Sequence, residues 1–225
     1  RRSSDLSKDI GANYKDLNLE ALIQLLIDTQ KRFYSNSEIL IYVNSLASNL
    51  INNINVKEKS AKEKLFRIIT NSINIQESNT ELVTPALRTI LDLVNKHSNL
   101  MEELAENSIA NIIQVFSNLR SHTPSCIVAC KILNSTANNQ IYTYSMTNFG
   151  LLQQLEKLLD YYSVVKSSDK NILEKEIYEL LSKLARDDKS SEQISLILMK
   201  HLIVGFSDLE NPSNEFLRKL IIGLT

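Results

Sequence analysis

Three histidines, two cysteines and scattered carboxylates are the residues of this 225-residue chain whose types suit metal or nucleophilic chemistry. Cys126 and Cys130 stand four apart, a spacing that puts both on one face of a helix and disfavours a disulfide between them. His122 precedes them, but Thr123-Pro124 follows it as a helix start, so the imidazole need not point with the thiols. We read the pair as two buried thiols in a packing face, kept reduced in the cytosol or nucleus. His97 closes a helix, where a cation would suit the dipole. His201 has no nucleophile or acid partner in sequence. Paired carboxylates such as Glu102-Glu103 are commonplace on helices. No glycine-rich phosphate loop, nucleophile elbow or metal-ligand spacing occurs. The expectation is a protein without a catalytic residue, cofactor or metal.

Composition narrows the elements that could position a site. Hydrophobic residues make up 43% of the chain, yet it holds only four Gly and three Pro, too few turn formers for a sheet protein of this length. Helix is the simplest reading. The 25 basic and 26 acidic residues are interspersed and sum to −1, so nothing drives non-specific binding to nucleic acid or an anionic membrane. The longest apolar stretch, Ile194 to Phe206, is interrupted by Lys200 and His201 and is too short to span a bilayer. The chain opens with Arg1-Arg2-Ser3-Ser4 and closes at Ile221-Ile222-Gly223-Leu224-Thr225 inside an apolar helical pattern. We read it as a piece of a longer protein.

Two families of helical segment recur. The first appears at Leu22, Leu65, Ile112, Gln154 and Leu202, with steps of 43, 47, 42 and 48 residues. The second begins at Val43 (VNSLASNLI), Ala86 (ALRTILDLV), Ala129 (ACKILNSTA), Ile177 (IYELLSKLA) and Leu217 (LRKLIIGLT), with steps of 43, 43, 48 and 40. Places one, five, eight and nine of each nonamer carry apolar or small residues, which together make one helical stripe. Pro124 and Pro212, each after Thr or Asn, mark helix starts with the preceding residue as cap. Pro85 either starts its helix late or kinks it. Ser35-Asn36-Ser37-Glu38 has the pattern of a capping box. Tyr161-Tyr162 and the polar stretch Lys166 to Lys170 mark an insertion, either a loop with exposed aromatics or a Tyr pair packing a helix end.

This unit of about 42 residues resembles an armadillo repeat, with a short first helix, a second of the kind ILQVLL and a third of the kind ALxxLxNLA. The stretch Asn139 to Leu152 is similar to the family's first helix and the glycine turn at Gly150, and Asn211-Pro212 to the turn before its third helix. Ser108 and Lys200 stand where other repeats would carry that glycine. The resemblance implies an all-α, right-handed superhelical solenoid of about five repeats, roughly 17–55, 56–97, 98–138, 139–187 and 188–225, after an N-terminal extension at 1–16. It also implies that the third helices line a concave face, because stacked repeats bury their stripes against one another.

Partner binding would then fall on the non-core places of the nonamers. Asn49, Arg88, Asp92, Lys131, Ser135, Glu179, Lys183, Arg218 and Lys219 are the candidates. A row of cations at helix-packing pitch suits carboxylates or phosphates of an extended ligand, although Asp92 and Glu179 break the row. Adaptors of nuclear import in this family clamp basic signals with paired Trp and Asn, and the chain has no Trp. The expected function is a non-catalytic scaffold, cytoplasmic or nuclear, that binds an extended or helical, acidic segment of another protein. The alternative is a regulatory armadillo domain of a larger cytoskeletal or motor-associated protein, like those of formins, myosin chaperones or ciliary proteins.

Overall fold

A computed structural model describes residues 18–53, 59–186 and 188–206; the side chains of 188, 189 and 202–206 are outside the description. Every regular element among the described residues is a helix, and none is long and apolar enough to cross a membrane. The extension at 1–16, Asn211-Pro212, the nonamer from Leu217 and the candidates Arg218 and Lys219 lie outside the described residues.

The chain divides into two compact units, between Glu103 and Leu104. The first holds α1 (Leu19–Arg32), α2 (Ser37–Asn53), α3 (Lys59–Ile75), α4 (Thr80–Lys96) and the short α5 (Ser98–Glu103). Its helices contact near neighbours in the chain: α1, α3 and α5 pack in succession as one row, α2 and α4 as a second, and each row packs on the other. The second unit opens with a π-helical turn (Leu104–Ser108) and continues with α6 (Ile109–Asn118), α7 (Thr123–Thr136), α8 (Gln140–Asn148), α9 (Leu151–Val164), α10 (Lys170–Leu184) and α11 (Asp188–Phe206). Here α6, α9 and α11 form one row, α7 and α10 another, and α8 packs on the π-turn, α6, α9 and α10.

Burial follows the stripe of the nonamers. Val43, Ala47, Leu50 and Ile51 on α2 are buried, as are Ala86, Ile90, Leu93 and Val94 on α4. Ala129, Leu133, Thr136 and Ala137 do the same for α7, and Ile177, Leu181 and Leu184 for α10. A stripe at this spacing covers one helix face, and each fully buried Leu or Ile contributes about 1.5–3 kcal/mol by leaving water.

Several side-chain hydrogen bonds among the helices and the turns at their ends step by about one period. In the first unit Gln30 donates to the Ile68 carbonyl at 2.7 Å, Gln76 to the Tyr34 carbonyl at 2.9 Å, and Asn79 to Ser37 Oγ at 2.7 Å. In the second unit Tyr162 donates to the Arg120 carbonyl at 3.0 Å and Asn134 to the Glu176 carbonyl at 3.0 Å. These pairs are 38 to 42 residues apart.

Several helix starts differ from the sequence reading. The cap of α2 is Asn36, whose side chain accepts from Ile39 N at 3.1 Å, rather than Ser35. Thr123 is the first residue of α7, after His122, and its hydroxyl bonds Tyr162 and Ser167 instead of capping. Pro85 stands inside α4, which starts five residues earlier behind the Asn79 cap. Gly150 has φ 77°, a left-handed conformation that a Cβ would strain, and it opens α9 as expected. At Lys200 no turn forms, and α11 runs through it.

Candidate functional site

On α2 the residues Tyr42, Ser45 and Asn49 are exposed, and on α4 Pro85, Arg88 and Asp92. Each trio follows helical three- and four-residue spacing, so each occupies one face of its helix. The two trios are 43 residues apart and occupy equivalent places on neighbouring helices. Tyr42 is 67% exposed. Asp92 is held by Lys96 at 2.7 Å one turn on. The Arg88 guanidinium meets no hydrogen-bond or ion partner among the described residues.

Between α2 and α4 lies a cleft of about 30 Å³, lined by Ile41, Asn44, Ser45, Leu82, Pro85, Ala86 and Thr89. Asn44 is 6% exposed and its amide is oriented by a neighbour. Ser72 Oγ donates to the Ile69 carbonyl at 2.7 Å, which uses its only proton. It can therefore only accept from Asn44, whose Nδ2 lies 2.7 Å away. Asn44 Oδ1 is left buried and without a donor. An orphaned amide oxygen costs about 1–3 kcal/mol unless something supplies a proton.

The corresponding residues of the second unit are differently engaged. Lys131 on α7 is exposed and has no partner among the described residues. Lys183 on α10 is only 15% exposed at its side chain, and its Nζ donates to Glu179 Oε1 at 2.9 Å and to the Asn134 carbonyl at 3.0 Å. Asn134 in turn donates to Glu176 Oε2 at 3.1 Å. Ser135 and Glu179 are half-buried. Of the cations expected to form a row, Arg88 and Lys131 are open to a ligand, whereas Lys183 ties α10 to α7.

The residues suited to catalysis or metal binding do not converge. Cys126 and Cys130 are buried free thiols. Burial pushes the Cys126 thiol up to about 12 and Cys130 well above its usual value, so neither is a thiolate at neutral pH. His122 Nδ1 is 2.9 Å from Ser125 Oγ, on its own first turn. No group of three or more metal-ligating side chains occurs among the described residues. Tyr162 is buried, its ring edge-on to Tyr161 at 5.1 Å, so the pair packs the end of α9.

Sequence reasoning missed Tyr42 and Asn44. Place two of the nonamers holds Asn44, Leu87, Cys130 and Tyr178, all of them buried. Among the nonamers of the described residues, Asn44 is the amide at that place, whereas Arg218 in the nonamer from Leu217 lies outside them. The chain matches no protein-family model, no curated protein and no solved structure.

Proposed function

We propose that this chain is a non-catalytic binding module, an armadillo-type solenoid whose third-helix row carries an extended segment of another protein. The paired rows in each unit and the hydrogen bonds between places about one period apart support the repeat reading. The observation that carries the binding reading is Arg88 on α4, which is exposed and lacks a partner among the described residues. Within the second unit, Lys131 on α7 holds the same place of its nonamer and has the same two properties. In the α1–α3–α5 row, by contrast, Lys64 pairs with Glu20, Lys59 with Glu102 and Arg67 with Glu103. Charges there hold helices together, while Arg88 and Lys131 remain available to a carboxylate.

Photo-cross-linking tests this directly. A photoreactive residue at Ser45 or Lys131 should capture a common partner from cells that express the protein. Charge reversal at Arg88 should abolish capture through Ser45 without changing the helical signal. The same probe at Leu25, exposed on α1, should capture nothing in common with them. Equal capture of one partner from all three positions would overturn the assignment.

A further inference from the structure

We propose that Asn134 is a latent N-glycosylation site whose modification and this fold exclude each other, so the fold is reached by chains that escape glycan transfer during synthesis. Asn134-Ser135-Thr136 is the one Asn-Xaa-Ser/Thr triplet in the sequence whose middle residue is not proline. Such a triplet accepts an oligosaccharide from a lipid-linked pyrophosphate donor. In that transfer the Asn Nδ2 gives up one proton and gains a bond to C1 of the first sugar. The C1–O bond to the pyrophosphate breaks, and the lipid pyrophosphate leaves with the electron pair. Acceptor triplets ordinarily lie on surface loops, because the glycan is bulky and solvated. Here all three residues lie within α7.

Asn134 is 5% exposed, and its amide protons are committed to α10. Nδ2 donates to the Glu176 carbonyl at 3.0 Å and to Glu176 Oε2 at 3.1 Å. A sugar on Nδ2 replaces one of those protons, so at least one bond is lost, and the sugar ring needs space where α10 packs. The Asn134 carbonyl adds a third tie, accepting from Lys183 Nζ at 3.0 Å. Thr136, the other residue that defines the triplet, has no exposed surface, and its hydroxyl donates to the Ile132 carbonyl at 2.9 Å. On a helix, side chains two residues apart stand about 200° apart around the axis, so a transferase that reads both together needs α7 unwound. Transfer is therefore confined to the chain before α7 closes on α10, and afterwards the contact cannot form as it stands. Because α7 and α10 make one row of the second unit, the loss falls on the packing of the unit and not on a surface loop.

The test secretes the full chain behind a cleavable leader from a eukaryotic cell and reads two quantities. These are the mobility shift on enzymatic removal of N-glycan and the resistance of each species to trypsin. Wild-type molecules that carry the glycan should be digested about tenfold faster than molecules without it. Wild type made with donor synthesis blocked should be resistant throughout. Thr136→Val, which destroys the triplet and keeps a branched side chain, should behave in the same way. A further chain combines Thr136→Val with His97→Thr, which completes a triplet at the exposed Asn95. It should carry a glycan and stay resistant, so that the harm is traced to Asn134 and not to glycosylation as such. Purified, folded wild type given the transferase and its donor should remain unmodified, whereas a peptide of residues 128–140 should be modified. Glycosylated wild type as resistant as the unmodified chain would overturn the proposal, and so would transfer to the folded chain at the rate of the peptide. Wild type secreted without any glycan, beside full occupancy at Asn95, would overturn it as well, because α7 would then close before the transferase acts.

Discussion

Arg88 and Lys183 look alike in the repeat register, both cations at non-core places of a nonamer, yet only packing separates them. Lys183 reaches Glu179 four residues back and the Asn134 carbonyl on α7, so its charge is internal. The acid four residues on from Arg88 is Asp92, and it is taken by Lys96. A similar distinction marks Glu103, whose side chain is 5% exposed and receives both prongs of Arg67, one at 3.0 Å. That hydrogen bond raises the Arg67 guanidinium above its ordinary value. Glu103→Ala should destabilise the protein by about 1–2 kcal/mol, a charge-assisted bond discounted for the half-exposed arginine, read from urea midpoints. A change at Glu102, on the exposed side of the same turn, should cost much less. His201 supplies a pH prediction. It is 7% exposed on α11, with Asp160 of α9 at 3.4 Å. Burial lowers its pKa from the usual 6.5, with Lys200 acting in the same direction and Asp160 and Glu156 opposing. The unfolded chain therefore takes up the proton first as pH falls. Stability is unaffected well above pH 6.5 and declines as pH drops through 6.5 toward the lowered folded value. His97, lowered by burial and by Lys62 and Lys96, adds to the same trend. The urea midpoint should fall between pH 7.5 and 5.5, and His201→Gln should flatten that fall. An unchanged slope in the variant would exclude His201 as the source.

The helix families were legible in the sequence because burial needs a 3.6-residue stripe, and that stripe repeats with the chain period. The details of helix ends were less so. Side-chain competition decides them, and several residues near each end can serve. Asn is the cap of α1, α2, α4 and α8, at Asn18, Asn36, Asn79 and Asn139, and each side chain accepts a backbone N–H at 3.0–3.2 Å. Ser35 and Thr123 have the right chemistry, but Asn36 outcompetes the first, and the second is drawn into the bond with Tyr162. Lys200, which stands where another repeat would carry the turn glycine, lies inside α11 and reaches Glu156 and Asp160 on α9, at 3.2 and 2.8 Å. Among the described residues, Gly150 is the one at positive φ, so residue type matters there. Its φ of 77° costs any residue with a Cβ about 1–2 kcal/mol, although a Cβ would meet only Gln153 Oε1 at 3.4 Å. Gly150→Ala should therefore lower stability by about 1 kcal/mol, and Gly150→Asn by less, because Asn tolerates the left-handed region. Thermal melts of the two variants check the order. Equal losses would mean that contact with Gln153, and not backbone strain, sets the cost.

At the level of the whole chain, the candidate site was legible only in part. Repeat register pointed to Arg88 and Lys131, but the cleft beside Asn44 depends on how α2, α3 and α4 meet, and no single helix pattern encodes that. The same near-neighbour packing governs stability. Leu40, Leu65, Phe66 and Leu87 are buried in the unit that ends at Glu103, and Phe116, Leu133, Leu155 and Leu181 in the one that starts at Leu104. Hydrogen bonds such as Asn79 to Ser37, or Asn134 to Glu176, reach the next period and go no further. In arrays held by such terms, a local loss is felt most by the adjoining elements. Phe66→Ala removes a ring with no exposed surface and should cost about 3–5 kcal/mol. Native-state hydrogen exchange should then accelerate in α1 to α4, while the amides of α9 and α10 keep most of their protection. Ile69→Val, at about 0.5–1.5 kcal/mol, should give the same pattern on a smaller scale and guards against outright unfolding by the larger change. Uniform acceleration of every helix in both variants would show a single cooperative core, and it would remove the near-neighbour energetics on which the repeat reading relies.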